Sequence, residues 1–432
     1  MEIDLLIHSA KQLVTCASGG VPKRGLDMVN VGIIENGAVA IDGKRIIGVG
    51  DSAVLCEEYA ASEEINASGN VVCPGFVDPH THVVYAGDRI NEFEMRIRGA
   101  TYMEIMAAGG GIISTAQAVR AVTVDQLVAE SHPRLDAMFK LGTTTVEIKS
   151  GYGLNTENEL KMLQAISALD VSHPIDVVPT FLGAHAVPPD FRENSDAYID
   201  LVAEDMLPRV AQWYQESHFH LNGVPLFVDV FCDYGVFDVE QSRRVLEAGK
   251  ALGMPVKAHV DEFMPLGGVS MAVEIGATSV DHLDVTPPKE IEILAQSDTI
   301  GVVIPAVNFN LGSTHFADAR AMIDAGAAIA LCTDINPGSA PCPSLPLVMA
   351  LGCRYQHLLP AEALNASTIN AAYAIGMGHK VGSIEVGKQA DLLIVAAPDY
   401  RHLAYQFGGN LVEKVVKRGK VIDSSLVRLE RW

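Results

Sequence analysis

The sequence predicts an α/β protein, a (β/α)8 barrel carrying a small β-sandwich domain built from both chain termini. Three observations carry that expectation. Between His80 and Asp334, short β-branched apolar runs alternate with longer helical patterns, the signature of parallel βα units. Polar residues that look out of place stand at the ends of those runs, where barrels of this architecture gather their chemistry. Both flanks instead alternate apolar and polar residues without intervening helices.

In chain order, the first flank holds strands such as "GAVAIDGKRIIGVG" (37 to 50). The barrel runs follow as "GFVDPHTH" (75 to 82), "TTTVEIK" (143 to 149), "IDVVPTFL" (175 to 182) and "LFVDVF" (226 to 231). The second half continues with "PVKAHV" (255 to 260), "TSVDHL" (278 to 283), "GVVIPA" (301 to 306) and "AIALCTD" (328 to 334). Between them lie stretches such as "DVEQSRRVLEAGKALG" (238 to 253), apolar at helical spacing with Gly253 as a stop signal. The last flank returns to strand character in "ADLLIVAA" and "VEKVVKRGKVI". The expected division is residues 1–72 and 376–432 for the small domain and 73–375 for the barrel.

Composition narrows the function classes. The chain has 432 residues, 49% hydrophobic and 19% charged, as expected of a globular enzyme. Its 31 Lys and Arg against 53 Asp and Glu leave a net charge of −22, which repels nucleic-acid backbones and anionic lipid heads. The N-terminal residues lack a basic segment followed by an apolar core, and no apolar run reaches the ~18 residues of a membrane span, so a cytoplasmic protein is expected. The seven cysteines are odd in number and never form C-x-x-C, which argues against a disulfide framework or a cysteine zinc knuckle.

His80 and His82 close the first run one residue apart, a spacing that points both imidazoles to one side of an extended chain. With His259 and Asp334 they supply the nitrogen and oxygen donors of a catalytic metal centre. His218 and His220 share that spacing but lie in a polar segment ahead of the fourth run, where a solvated surface pair is expected. A second metal would need a bridging ligand such as a carboxylated lysine at the end of the fourth run, and "DVFCDYG" has none, so one metal is expected. Lys149 reads as an ion-pair partner for Glu147 or another acid. Glu262, His282 and Asp334 are the candidate proton carriers. Taken alone, Glu262 reads equally well as a helix-start carboxylate and His282 as a satisfied core histidine.

Taken together, "DPHTHVVYAGDRINEFEMR", "GATYMEIMAAGGGI", "GTTTVEIKSGYGL", "TFLGAHAVP", "DVFCDYG", "KAHVDEF", "DHLD" and "TDINPGS" resemble the amidohydrolase superfamily, and within it the branch that opens the imidazolone ring in histidine degradation. The resemblance spans nearly the whole chain. It implies hydrolysis of the ring C–N bond of 4-imidazolone-5-propanoate to N-formimidoyl-L-glutamate, one zinc or iron ion per chain, and a homodimer. It assigns Arg89 to the propanoate, Tyr152 and His185 to further substrate contacts, and Asn336, Gly338 and Ser339 to the product. A carboxylate clamp at Arg89 suits a guanidinium, and it separates this reading from a deaminase of a neutral heterocycle, which would share the metal ligands. A non-enzymatic binding protein on a decayed scaffold is disfavoured by the intact ligands and Glu262. Residues 212–224 look like an insertion at the opposite barrel face, and Ser339 stands where threonine is also common. The Gly109–Gly111 run lacks the Lys-Ser/Thr of a nucleotide loop and reads as a flexible active-site loop near Arg89.

Overall fold

The computed structural model describes residues 1–100, 104 and 109–422. Part of "GATYMEIMAAGGGI" and the last ten residues of the 376–432 flank lie outside the described residues.

The terminal strands form one eight-stranded mixed sheet. The N-terminal part contributes β1 (Glu2–Val14), β2 (Ile33–Asp42), β3 (Arg45–Asp51), β4 (Ala60–Asn66) and β5 (Val71–Pro74). The C-terminal part contributes β14 (Leu392–Val395), β15 (Val412–Lys417) and β16 (Lys420–Ile422). Long β1 pairs in parallel with β4 through its first half and with β5 near its end. Leu5, Ile7 and Ile41 from one chain end therefore share an apolar cluster with Leu392, Ile394 and Val416 from the other. Apolar burial on this scale, about 25 cal/mol per Å² of surface removed from water, is what makes the two termini one unit.

Eight parallel strands follow: β6 (Phe76–Asp78), β7 (Thr143–Lys149), β8 (Asp176–Ala184), β9 (Phe227–Cys232), β10 (Lys257–Val260), β11 (Ser279–His282), β12 (Ile300–Val303) and β13 (Ile329–Leu331). They lie side by side in sequence order, the arrangement of the expected (β/α)8 barrel. Hydrogen bonds across the seam from β13 to β6 close it. Thr333 donates its N–H (3.1 Å) and hydroxyl (2.6 Å) to the Asp78 carboxylate. Beyond it, Asp334 N–H reaches His80 O at 3.1 Å and His82 N–H reaches Ile335 O at 3.0 Å. The first and last runs are longer in sequence than as strands. His80, His82 and Asp334 sit past the strand ends, in the segments that zip the barrel shut.

Helices alternate with the strands as the apolar periodicity predicts. In the 238–253 stretch, Asp238 caps rather than begins the helix, which runs Val239–Ala251, and its side chain forms a capping box with Gln241. Gly253 ends it with φ of 80°, a conformation that costs glycine little. Of the cysteines, Cys16, Cys73, Cys232 and Cys332 are buried, and all seven are free thiols. No helix among the described residues is long and apolar enough to cross a membrane.

The sheet is fastened to the barrel through Asp176 at the start of β8. Its carboxylate accepts from Lys417 Nζ at 2.7 Å and pairs with Arg418, while Lys417 also reaches Asp391 at 2.7 Å. Burial alone would raise the Asp176 pKa, but Lys417 and Arg418 overcome it and hold the carboxyl well below the usual range. A pKa lowered on folding stabilises the protein above the unfolded value, ~3.9, and that contribution fades as pH falls through and below it. Thermal unfolding followed from neutral to acidic pH is expected to show an Asp176→Asn variant less stable by about 2 kcal/mol at neutrality, with a shallower loss on acidification. Parallel curves for the two proteins would contradict this.

Candidate active site

Alternate residues of a barrel strand point inward, so each i, i+2 pair delivers two side chains to the interior. Glu147 and Lys149 on β7, Lys257 and His259 on β10, and Asp281 on β11 meet there with Asp229 of β9, all of them buried. Lys149 Nζ donates to Glu147 Oε1 and Asp229 Oδ2, both at 2.8 Å. Lys149 is thus the ion-pair residue the sequence suggested, with Asp229 as an added partner. Lys257 Nζ donates to Pro79 O at 2.6 Å and lies 3.4 Å from Asp281 Oδ2. These charges are satisfied by one another, the condition for holding them in an interior.

The histidines stand on this floor. His80 Nδ1 lies 2.6 Å from Asp281 Oδ2, and His259 Nδ1 lies 3.1 Å from Asp229 Oδ1. A carboxylate at Nδ1 fixes the proton there and leaves the Nε2 lone pair free to bind a metal. His80 Nε2, His259 Nε2 and Asp334 Oδ1 are all buried and lack hydrogen-bond partners. Asp334 Oδ1 is 3.4 Å from the Nε2 atoms of both His80 and His82. His80, His82 and His259 bring ligand atoms within 4.8 Å of one another, and so do His80, His282 and Asp334. Orphaned donors converging in this way are costly unless a cation joins them, so the residues fit the expected metal. Burial holds His80 and His82 neutral, the ligand form of imidazole, and pushes the Asp334 pKa well above the carboxylate range when no cation is near. Asp334 and His282 both adopt positive φ, 49° and 85°, strain of the kind that collects at functional sites.

Glu262 and His282 lie together at the rim, with His282 Nδ1 3.6 Å from Glu262 Oε2. Burial first, then the charges of Asp284, Asp334 and Asp233, raise the Glu262 pKa well above its usual value. The loop is fixed by the Asp233 carboxylate, which accepts from the backbone N–H groups of Glu262, Phe263 and Met264 at 2.9–3.0 Å. On the other side, the His185 ring stacks on His82 at 4.9 Å, and Tyr152 is 5.4 Å from His185. His185 Nδ1 bonds Gly151 O at 3.0 Å, and burial lowers its pKa to about 3, so its neutral Nε2 is left for other contacts. The buried Glu159 carboxylate accepts from the N–H groups of Gly151, Gly153 and Leu154, which shapes the Tyr152 turn.

Arg89 packs against the turn formed by Asn336, Gly338 and Ser339. Asn336 Oδ1 accepts from the N–H groups of Gly338 (2.8 Å) and Ser339 (2.7 Å), and its Nδ2 donates to Asp334 O at 2.8 Å, tying the turn to Asp334. A Cβ on Gly338 would overlap the Arg89 guanidinium. A Gly338→Ala variant is therefore expected to displace Arg89 and raise KM for an anionic substrate roughly tenfold to a hundredfold, with bound metal unchanged by elemental analysis. Gly111 N–H donates to Glu92 Oε1 at 2.9 Å, and Glu92 pairs with Arg89, which brings the glycine run to Arg89 as expected.

All the site residues singled out in the sequence thus meet around one barrel mouth. Asp229, Asp281, Lys257, Glu92, Asp233 and Arg96 were not singled out. The signal available for Lys257 and Asp281 was a charge two residues from, or next to, a candidate site histidine inside an apolar run; Asp229 offered only a carboxylate within the apolar fourth run. The His218 and His220 pair stands apart, on the segment preceding β9, but it is not uniformly solvated. His218 is half-buried and pairs with Asp170 at 2.8 Å, which fixes the connection at the barrel's opposite face.

Barrel, terminal sheet and buried His/Asp donor set define an enzyme of the metal-dependent amidohydrolase class. Residues 238–422 match the amidohydrolase family model. Solved structures of this fold include a zinc-bound adenosine deaminase from Xanthomonas campestris, with a TM-score of 0.73 at 19% identity over 99% of this chain and 96% of that one. A triazine hydrolase from Arthrobacter aurescens gives 0.74 at 16% identity over 98% and 96%. More specifically, the chain belongs to the imidazolonepropionase family. It is 59% identical to the imidazolonepropionase of Chloroflexus aggregans over 97% of this chain and 98% of that one, and 50% identical to that of Herpetosiphon aurantiacus over 99% of each.

Proposed function

We infer that this chain hydrolyses 4-imidazolone-5-propanoate to N-formimidoyl-L-glutamate, a step of histidine degradation. The observation that carries the reading is the juxtaposition of a buried metal donor set with Arg89 packed on the Gly338 turn, one end for a ring carbonyl and the other for a carboxylate. In the balanced reaction, water adds its oxygen to the ring carbonyl carbon, the C–N bond at that carbon breaks, and the departing nitrogen takes up a proton. His80, His82, His259 and Asp334 would hold one metal ion, zinc or iron, whose chemistry there would be Lewis acidity toward water near neutral pH. Glu262, whose pKa burial raises well above its usual value, holds the proton for the departing nitrogen, with His282, its pKa lowered by burial, beside it to relay and Asp334 as the third group in the proton traffic. Arg89, Tyr152 and His185 hold the substrate, and Asn336, Gly338 and Ser339 hold the product, N-formimidoyl-L-glutamate. A cytoplasmic homodimer completes the reading.

Its test is metal stoichiometry on the purified protein, paired with an assay of 4-imidazolone-5-propanoate consumption. One metal per chain with turnover supports the reading. One metal without turnover keeps the site and discards the substrate.

A further inference from the structure

We propose that Arg96 is the specificity-determining cation for the substrate's carboxylate, supplying the positive charge that Arg89, neutralised by Glu92, does not itself provide. This rests on the functional reading above and goes beyond it.

The starting point is a local charge balance in a chain of net charge −22. Arg89 Nη2 is 2.7 Å from Glu92 Oε2, a close and largely buried pair. Glu92 is fixed there because its other oxygen accepts from Gly111 N–H. Arg89 and Glu92 together therefore present a directed set of donors but no net charge. A carboxylate leaving water for this pocket would meet a dipole only, and long-range recruitment needs a surplus of positive charge.

Arg96 lies on the same helix, Ile90–Ile97, one turn beyond Glu92 and two turns beyond Arg89, hence on the same face. Its Nη2 donates to Gly338 O at 2.8 Å, so both guanidiniums bracket the Gly338 turn. That acceptor is neutral, and Arg96 forms no ion pair with a carboxylate among the described residues. The Nε atoms of both Arg89 and Arg96 are buried without hydrogen-bond partners. Burial first, and the like charge of Arg89 second, lower the Arg96 pKa against a smaller opposing pull from Glu92, which the two guanidiniums share. Arg89, Arg96 and Glu92 leave one surplus positive charge, which one propanoate group balances. A guanidinium fits this position because it can keep its bond to Gly338 O while offering further N–H groups.

Steady-state kinetics of the metal-loaded wild type, Arg96→Gln and Arg96→Lys, each with 4-imidazolone-5-propanoate and with its propanamide analogue, test the idea. Arg96→Gln is expected to raise KM for the propanoate about tenfold or more, with kcat changed by less than about threefold and KM for the propanamide changed by less than about twofold. Arg96→Lys should retain most of the preference for the charged substrate. With the wild type alone, added sodium chloride should raise KM for the propanoate and not for the propanamide, a readout independent of any variant's folding. Equal rises for both substrates in Arg96→Gln would reduce Arg96 to a structural prop for Gly338 and overturn the proposal, as would an unchanged propanoate preference or salt-independent wild-type KM values. A wild type that turns over neither compound would overturn the functional reading, and this inference with it.

Discussion

Replacing Asp229 with asparagine is expected to strip the protein of most of its metal and of several kcal/mol of stability at once. Asp229 is buried in β9, and its two oxygens serve different masters: Oδ2 accepts from Lys149 Nζ at 2.8 Å, and Oδ1 orients His259 Nδ1 at 3.1 Å. Burial would raise its pKa, yet His259 and Lys149 hold it well below the usual carboxylate range, so the anion is what the barrel interior is built around. An asparagine amide is nearly isosteric but has one acceptor oxygen and an NH2 that must face one of those two donors. If it faces Lys149, a buried ammonium keeps only Glu147 as a close partner, and breaking one side of a buried ion pair costs about 3–5 kcal/mol. If it faces His259, the ring loses the contact that frees Nε2, and losing such an outer partner weakens metal binding about 10-fold to 100-fold. Metal retained after dialysis against a graded chelator, together with chemical denaturation of the metal-free protein, separates the two effects. A variant that keeps wild-type values in both would show that Asp229 neither steers His259 nor balances Lys149.

That network also marks where the sequence stopped being informative. The eight β-branched runs locate all eight barrel strands, because alternation of strand and helix is a local signal and each run carries it alone. His80, His82, His259 and Asp334 were legible because polar residues at the ends of apolar runs stand out against their surroundings. The charges in "FVDVF", "PVKAHV" and "VDHL" were legible as residues but not as partners, since the Lys149–Asp229 contact joins positions 80 residues apart and depends on which inward faces meet across the barrel. Arg96 was invisible for another reason: at a partly exposed helix position an arginine is ordinary, and only its approach to Gly338 gives it meaning. The short β6 and β13 show the same limit, because their ends are set by the closing seam, a contact between the first and last runs that no local window contains.

Glu262→Gln is expected to lower kcat by about 10²-fold to 10⁴-fold while leaving metal content and folding stability close to wild type. The stability half of that expectation follows from charge state. Burial, and then the charges of Asp284, Asp334 and Asp233, raise the Glu262 pKa well above its usual value and favour the neutral carboxyl, which glutamine matches in charge and shape. No ion pair is broken, and the backbone of the loop stays anchored by the Asp233 carboxylate through bonds the substitution does not touch. The catalytic half follows from proton inventory. A neutral carboxyl has an acidic proton to give and an anion to take it back, whereas an amide can do neither near neutral pH. His282, 3.6 Å away and held neutral by burial, has no proton to spare at its acceptor nitrogen and cannot fill the gap alone. Single-turnover rates set beside elemental analysis and thermal unfolding decide it. A normal rate would take the proton transfer away from Glu262 and give it to His282 or Asp334. A rate loss matched by lost metal would instead make Glu262 part of what holds the ion.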